Sequence, residues 1–155
     1  MDDAPKSLPR HLGLDLGKRR IGVAASDLLG GRSRPLPVIE RRNDQQAVEA
    51  IARLMDAYEI RVCVAGLPLN MDGSEGAQAK ISKDLATELE RQGAPQVQLW
   101  DERLTSFQAD EVMIAAGVRA SRRKKLRDAL SAQIILQSFL DARRAEPPTR
   151  STTPP

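Results

Sequence analysis

A chain of 155 residues, 41% hydrophobic but only 3% aromatic, fits one domain with an aliphatic core of Leu, Ile, Val and Ala. Its net charge of +3 is uneven: residues 111–155 carry nine Lys/Arg against four Asp/Glu, and residues 1–110 fifteen against seventeen. No apolar run approaches the roughly 18 residues of a membrane span, MDDAPKSLPR lacks the basic-then-apolar order of a secretory signal, and one cysteine cannot form an internal disulfide. The expected compartment is therefore the cytoplasm.

In chain order, residues 1–11 read as a flexible lead that ends at His11. Leu12–Leu16 and Arg20–Ser26 alternate apolar positions as two short strands, joined by a tight turn at Gly17-Lys18-Arg19. Pro35–Ile39 is a candidate third strand beside the second. Asn43 is the expected N-cap of a helix that places Ala47, Ile51, Leu54 and Tyr58 on one face. Arg61–Ala65 is a short buried strand ending at the breaker Gly66-Leu67-Pro68, and its Cys63 is expected to be a quiet buried thiol. Gly66–Gly76 has no predicted regular structure and leads into a helix with Ile81, Leu85 and Leu89 spaced by four. Gln96–Trp100 is the last strand, Thr105 and Gln108 suggest a capping box for the next helix, and a final helix runs from about Lys125 to Ala142. Residues 143–155, rich in Pro, Ser and Thr, read as a disordered tail. The order β-β-β-α-β-α-β-α-α over residues 12–142 makes an α/β domain, mostly parallel with an antiparallel edge hairpin.

Three acidic residues fall at element boundaries: Asp15, Glu102 and Asp128. Asp15 shares a strand face with Gly13 and Gly17, which would leave room for a ligand beside its carboxylate. Aspartate is a poor strand former and costly to bury unpaired, though capping the hairpin turn is the simpler account. Glu102 follows the strand end VQLW, where ligands bind in parallel sheets. Its neighbour Asp101 competes for that role, but is expected to bond Arg103 and the following loop. Asp128 lies in the opening turns of the last helix, with Ser131 and Ala132 three and four positions on, so its face can approach the sheet closely. An acid near a helix N-terminus is also favoured by the dipole alone.

Carboxylates that converge, in a chain with a single histidine, suit Mg²⁺ or Mn²⁺ rather than zinc. Such ions assist phosphodiester hydrolysis, with water as nucleophile because no Ser/His or Cys/His arrangement is available. His11 is given no role. Six of the nine residues from Arg119 to Arg127 are basic, a field that suits a polyanion, although a solvated loop or helix start would carry the same run. Lys18, Arg19, Arg20, Arg103, Arg122, Arg123, Lys124 and Lys125 are the candidate nucleic-acid contacts. Asn70, with Asp72 and Ser74, could bond a phosphate, a ribose hydroxyl or a base edge, the alternative being a purely structural connection.

Taken together, LGLDLGKRRIGVAASD, AGLPLNMDGSEG, DERLTS and KKLRDALSAQIILQSFLD resemble the YqgF/RuvX family over about residues 12–142. The resemblance implies a ribonuclease H-like fold: a central mixed five-stranded sheet, its first three strands antiparallel, with flanking helices. It implies a metal-dependent endonuclease with Asp15, Glu102 and Asp128 as catalytic residues and metal ligands. The expected substrate is structured RNA, at the 5′ end of pre-16S rRNA during ribosome biogenesis, and branched DNA of the Holliday type comes second. A non-catalytic RNA-binding assembly factor is a further alternative, although acids in a phosphate groove are costly without metal. A small ATP-binding phosphotransferase-like protein is another, although the chain is short for the paired domains that enclose ATP. The expected state is a monomer or homodimer with no membrane partner. Ser131 stands where the family's DxxAA segment has alanine, and three carboxylates occupy a site for which many related nucleases use four.

Overall fold

The computed structural model describes the backbone of residues 10–27, 31–94 and 96–145, and side chains there except at 104–109, 112, 124, 125, 127–129, 144 and 145. Nine elements follow in the expected order among the described residues: β1 (Arg10–Leu16), β2 (Arg20–Ser26), β3 (Ser33–Glu40), α1 (Asp44–Ala57), β4 (Ile60–Leu67), α2 (Ala77–Arg91), β5 (Val97–Asp101), α3 (Glu102–Ala115) and α4 (Ala120–Ala145). The five strands form one sheet in the order β3-β2-β1-β4-β5. β1, β2 and β3 pair antiparallel, while β4 and β5 add in parallel to β1. The carboxyl ends of β1, β4 and β5 therefore lie at one edge of the sheet. Among the described residues no helix is long and apolar enough to cross a membrane.

Strand alternation divides the side chains between two layers. Leu12, Leu14, Leu16, Ile21 and Val23 point to the α1/α2 side and pack with Val48, Ile51, Leu85 and Leu89 in one aliphatic cluster. Asn43 caps α1 as expected, its Oδ1 accepting from Gln46 N at 2.8 Å. Cys63 belongs to this cluster; it is fully buried beside Met55, and burial pushes its thiol up to about 12. On the other side, Ala132, Ile135, Leu136, Phe139 and Leu140 of α4 pack against Ala24 and Val64.

Several expectations need correction. α3 begins at Glu102, so Thr105 lies inside the helix and does not start it. The strand simply turns into helix at Asp101-Glu102, an acid being well placed in a first turn. α4 runs from Ala120 to Ala145, longer at both ends than Lys125–Ala142, because Arg and Lys are strong helix formers and extend it through the basic run. β4 passes through Gly66 to Leu67, so that glycine is part of the sheet. His11 is no flexible entry: it is 5% exposed on β1, its backbone N–H donates to Ser26 Oγ at 2.8 Å, and its ring lies 5.7 Å from that of Phe139.

Candidate active site at the carboxyl end of the sheet

α4 runs antiparallel to β1. Its far turn meets His11 through Phe139 and Arg143, and its middle meets Gly13 through Leu136 and Ala132. A Cβ at Gly13 would fall 2.6 Å from Leu136 Cβ and 2.8 Å from Ala132 O. The room that the sequence reading reserved for a ligand beside Gly13 is thus filled by the helix itself. One strand over, a Cβ at Gly22 would meet Ser131 Oγ at 3.3 Å and both Ala132 Cβ and Asp15 Cβ at 3.4 Å. Close approach of the small-residue face of α4 to the sheet is therefore observed, and it brings the helix to the level of Asp15. Asp128 lies on α4 one turn before Ala132; its side chain is outside the described residues.

Asp15 itself is half-buried near the end of β1. The chain turns immediately after it: Gly17 N donates to Asp15 O at 3.0 Å. Arg41 pins that turn, donating to Gly17 O at 3.1 Å and to Asp44 at 2.5 Å, and Gln78 donates to Leu16 O at 3.2 Å. The strand end carrying Asp15 is thereby fixed to the start of α1 and to α2. No ion pair reaches the Asp15 carboxylate among the described residues.

Glu102, the first residue of α3, leans back across β4. A Cβ on Gly66 would fall on Glu102 Oε1, and within 2.6 Å of Ile135 Cδ1. Leu14 pairs with Ala65, so the next residues of these parallel strands are Asp15 and Gly66. The bare backbone at Gly66 thus lets Glu102 reach over β4 toward Asp15. Burial, then the charges of Asp15 and Asp101, push the Glu102 carboxyl up to about 7. Asp101 is engaged elsewhere: Arg103 grips it at 2.7–3.1 Å and holds it below the ordinary carboxylate range. The bonding of Asp101 to Arg103 is the part of the expectation for this pair that the structure shows.

Besides Arg103, held on Asp101, the predicted basic residues occupy two places. Lys18, Arg19 and Arg20 are exposed on the β1–β2 turn, and a cleft of about 330 Å³ beyond it takes in Lys18 and Arg42 but neither carboxylate. Arg122 and Arg123 sit in the first turn of α4, where Arg123 donates to Val118 O at 3.0 Å; the Lys124 and Lys125 side chains lie outside the described residues. Asn70, Asp72 and Ser74 bond chiefly to one another, Asn70 Nδ2 to Ser74 Oγ at 2.9 Å and Ser74 Oγ to Asp72 Oδ1 at 2.6 Å. Sequence reasoning missed Gly22, Gly66 and Arg41. Glycines recurring on neighbouring strands at one level were the available signal for the first two.

Asp15 and Glu102 are oxygen donors whose like charges repel across the end of β4, so a hard divalent ion fits their chemistry. A family profile described as RuvX: Holliday junction resolvase matches residues 9–142. A protein of Anaeromyxobacter sp. (strain Fw109-5) named "Putative pre-16S rRNA nuclease" is 43% identical over 136 residues, 88% of this chain and 99% of that protein. One of the same name from Halothermothrix orenii is 42% identical over 132 residues, 85% of this chain and 94% of that protein. Among solved structures, T. thermophilus RuvC in complex with Holliday junction substrate matches with a TM-score of 0.60 at 13% identity, over 88% of this chain and 96% of that one. That likeness bears on the fold, which is ribonuclease H-like, with its first three strands antiparallel. From residue 9 to residue 142 the chain belongs to the RuvX family.

Proposed function

We propose that this protein is a metal-dependent endonuclease of the cytoplasm that hydrolyses phosphodiester bonds at the immature 5′ end of 16S ribosomal RNA. The observation that carries the reading is the meeting of Asp15 and Glu102 at the carboxyl end of the sheet, where Glu102 is pushed up to about 7 by burial and by its acidic neighbours. A fold keeps like charges together at such a cost mainly where a cation offsets them. Asp15 and Glu102, with Asp128 from α4, would hold Mg²⁺ or Mn²⁺. When bound, the metal supplies Lewis-acid stabilisation of the charge that develops on the phosphodiester.

The remaining work falls to the protein. Gly66 and Ile135 set the direction of Glu102, and the Arg41 clamp sets that of β1. Lys18, Arg19 and Arg20 would position phosphates on one side of the carboxylates, and Arg122 to Lys125 on the other. Cations in the first turns of α4 oppose the helix dipole, and a phosphate bound there offsets that cost. The names carried by the relatives favour ribosomal RNA as substrate over branched DNA.

The test offers the purified protein a precursor RNA spanning the immature 5′ end and, separately, a four-way DNA junction, each with Mg²⁺, Mn²⁺ or EDTA. RNA cleavage that needs metal and disappears in Asp15→Asn and Glu102→Gln is the expected result. Cleavage of the junction alone would move the activity to recombination. Salt-sensitive binding without turnover would leave a binding factor.

A further inference from the structure

Between β4 and α2 the chain forms a small rigid finger. Leu69 bridges Glu75, Asn70 N donates to Ser74 O at 2.9 Å, and Gly73 N donates to Asn70 O at 2.8 Å. Asp72 Oδ1 accepts from Ser74 N at 2.9 Å, so the polar groups of the tip largely satisfy one another. Gly73 makes the turn with φ +87°, a conformation L side chains rarely adopt. The base of the finger is held by the Lys83–Glu75 ion pair. Its flank is held by Arg103, the residue after Glu102, which is anchored on Asp101 and donates to Met71 O at 3.4 Å.

At the tip stands Met71, 94% exposed, whereas the next most exposed large apolar side chain among the described residues, Ile114, is at 58%. A hydrogen-bonded mount that holds an apolar side chain in water, tied through Arg103 to the segment carrying Glu102, contributes nothing to the core. An unbranched thioether is well suited to a flat π-face, and apolar side chains of this kind insert between bases in nucleic-acid complexes.

We propose that Met71 is a base-contacting residue, which the Asn70–Ser74 finger holds ready to stack on an unpaired base beside the phosphate to be cut. The substrate class is then a nucleic acid with an unstacked nucleotide at the cleavage point, not a continuous duplex. This rests on the nuclease reading above, and deepens it.

The experiment uses the full chain and the precursor RNA with 2-aminopurine placed in turn at nucleotides flanking the cleavage site, in EDTA so that binding is read without turnover. A four-way DNA junction with the probe at its crossover forms the second arm. Wild-type binding is expected to raise fluorescence at one position, as the base leaves its stack. Met71→Ala is expected to abolish that rise and weaken binding by roughly 2- to 10-fold, the range of a sulfur–aromatic contact. Met71→Leu and Met71→Phe are expected to restore both, with the melting temperature unchanged in all three. A Met71→Ala variant with full fluorescence change and affinity overturns the proposal, as does a wild-type protein that changes no probe. A fluorescence change that depends on Met71, without metal-dependent cleavage of either substrate, would instead overturn the nuclease reading and leave the contact standing.

Discussion

The sheet is covered differently on its two faces. On one, α1 and α2 bury branched aliphatic side chains against Leu12, Leu14 and Leu16, and each such burial stabilises the fold by about 1.5–3 kcal/mol. On the other, α4 lies close over Gly13 and Gly22 and is stitched to the sheet edge by polar contacts. Ser33 N donates to Gln137 Oε1 at 3.0 Å, Gln133 Nε2 to Ser33 O at 3.0 Å, and Trp100 Nε1 to Ser138 Oγ at 3.1 Å. The first face gives stability with little demand on direction. The second is directional, as befits the face that carries Asp15 and Glu102.

That contrast breaks most visibly at the carboxylates. Asp15→Asn and Glu102→Gln are expected to lower metal-dependent cleavage by about 100-fold or more, with melting temperatures preserved or raised. Equal loss of folding in both would erase the distinction between the faces. On the opposite face, Leu85→Ala, at a site 1% exposed, is expected to cost about 2–5 kcal/mol in urea titration. Its turnover per folded molecule should match wild type.

Acid–base behaviour sharpens the comparison. Glu102 is raised from 4.5 to about 7, so between those values the folded metal-free protein holds a proton that the unfolded chain has released. Its contribution to stability is therefore full below pH 4.5 and is lost as pH rises through 7, by up to about 3 kcal/mol. Denaturation of wild type and Glu102→Gln across this window reads it, as the variant should lack that part of the slope. Smaller still is the effect of Gly13→Ala, whose Cβ would press on Leu136 and on the Ala132 carbonyl. Lifting α4 should cost about 1–3 kcal/mol and reduce cleavage at the same time, a coupling that Leu85→Ala should not show.

The α1/α2 face was the easier to read from sequence because its signals are local. Asn43 caps its helix through a bond three residues away, and Ile51, Leu85 and Leu89 fall on the period of a helix. The α4 face depends on contacts between distant residues. Gly66 carries the marks of a strand breaker, yet its lack of a side chain is what admits Glu102 from the start of α3. Gly13 suggested ligand space for the same reason, and the helix that fills that space lies more than a hundred residues away in the chain. Asp15, Glu102 and Asp128 stood out as acids at element boundaries, but only the register of β1 with β4 shows why the first two meet. His11, at the end of a polar lead, gave no local sign that Phe139 would cover it.

Cys63, fully enclosed in the α1/α2 cluster with its thiol held protonated, also gives the molecule a built-in clock. At neutral pH a thiol-exchange reagent can react with this lone thiol only when the α1/α2 layer over β4 opens. The labelling rate therefore counts openings of the layer that covers the strand between those carrying Asp15 and Asp101. Divalent cation or RNA bound across that strand should slow the count, so occupancy can be followed through a sulfur that touches neither.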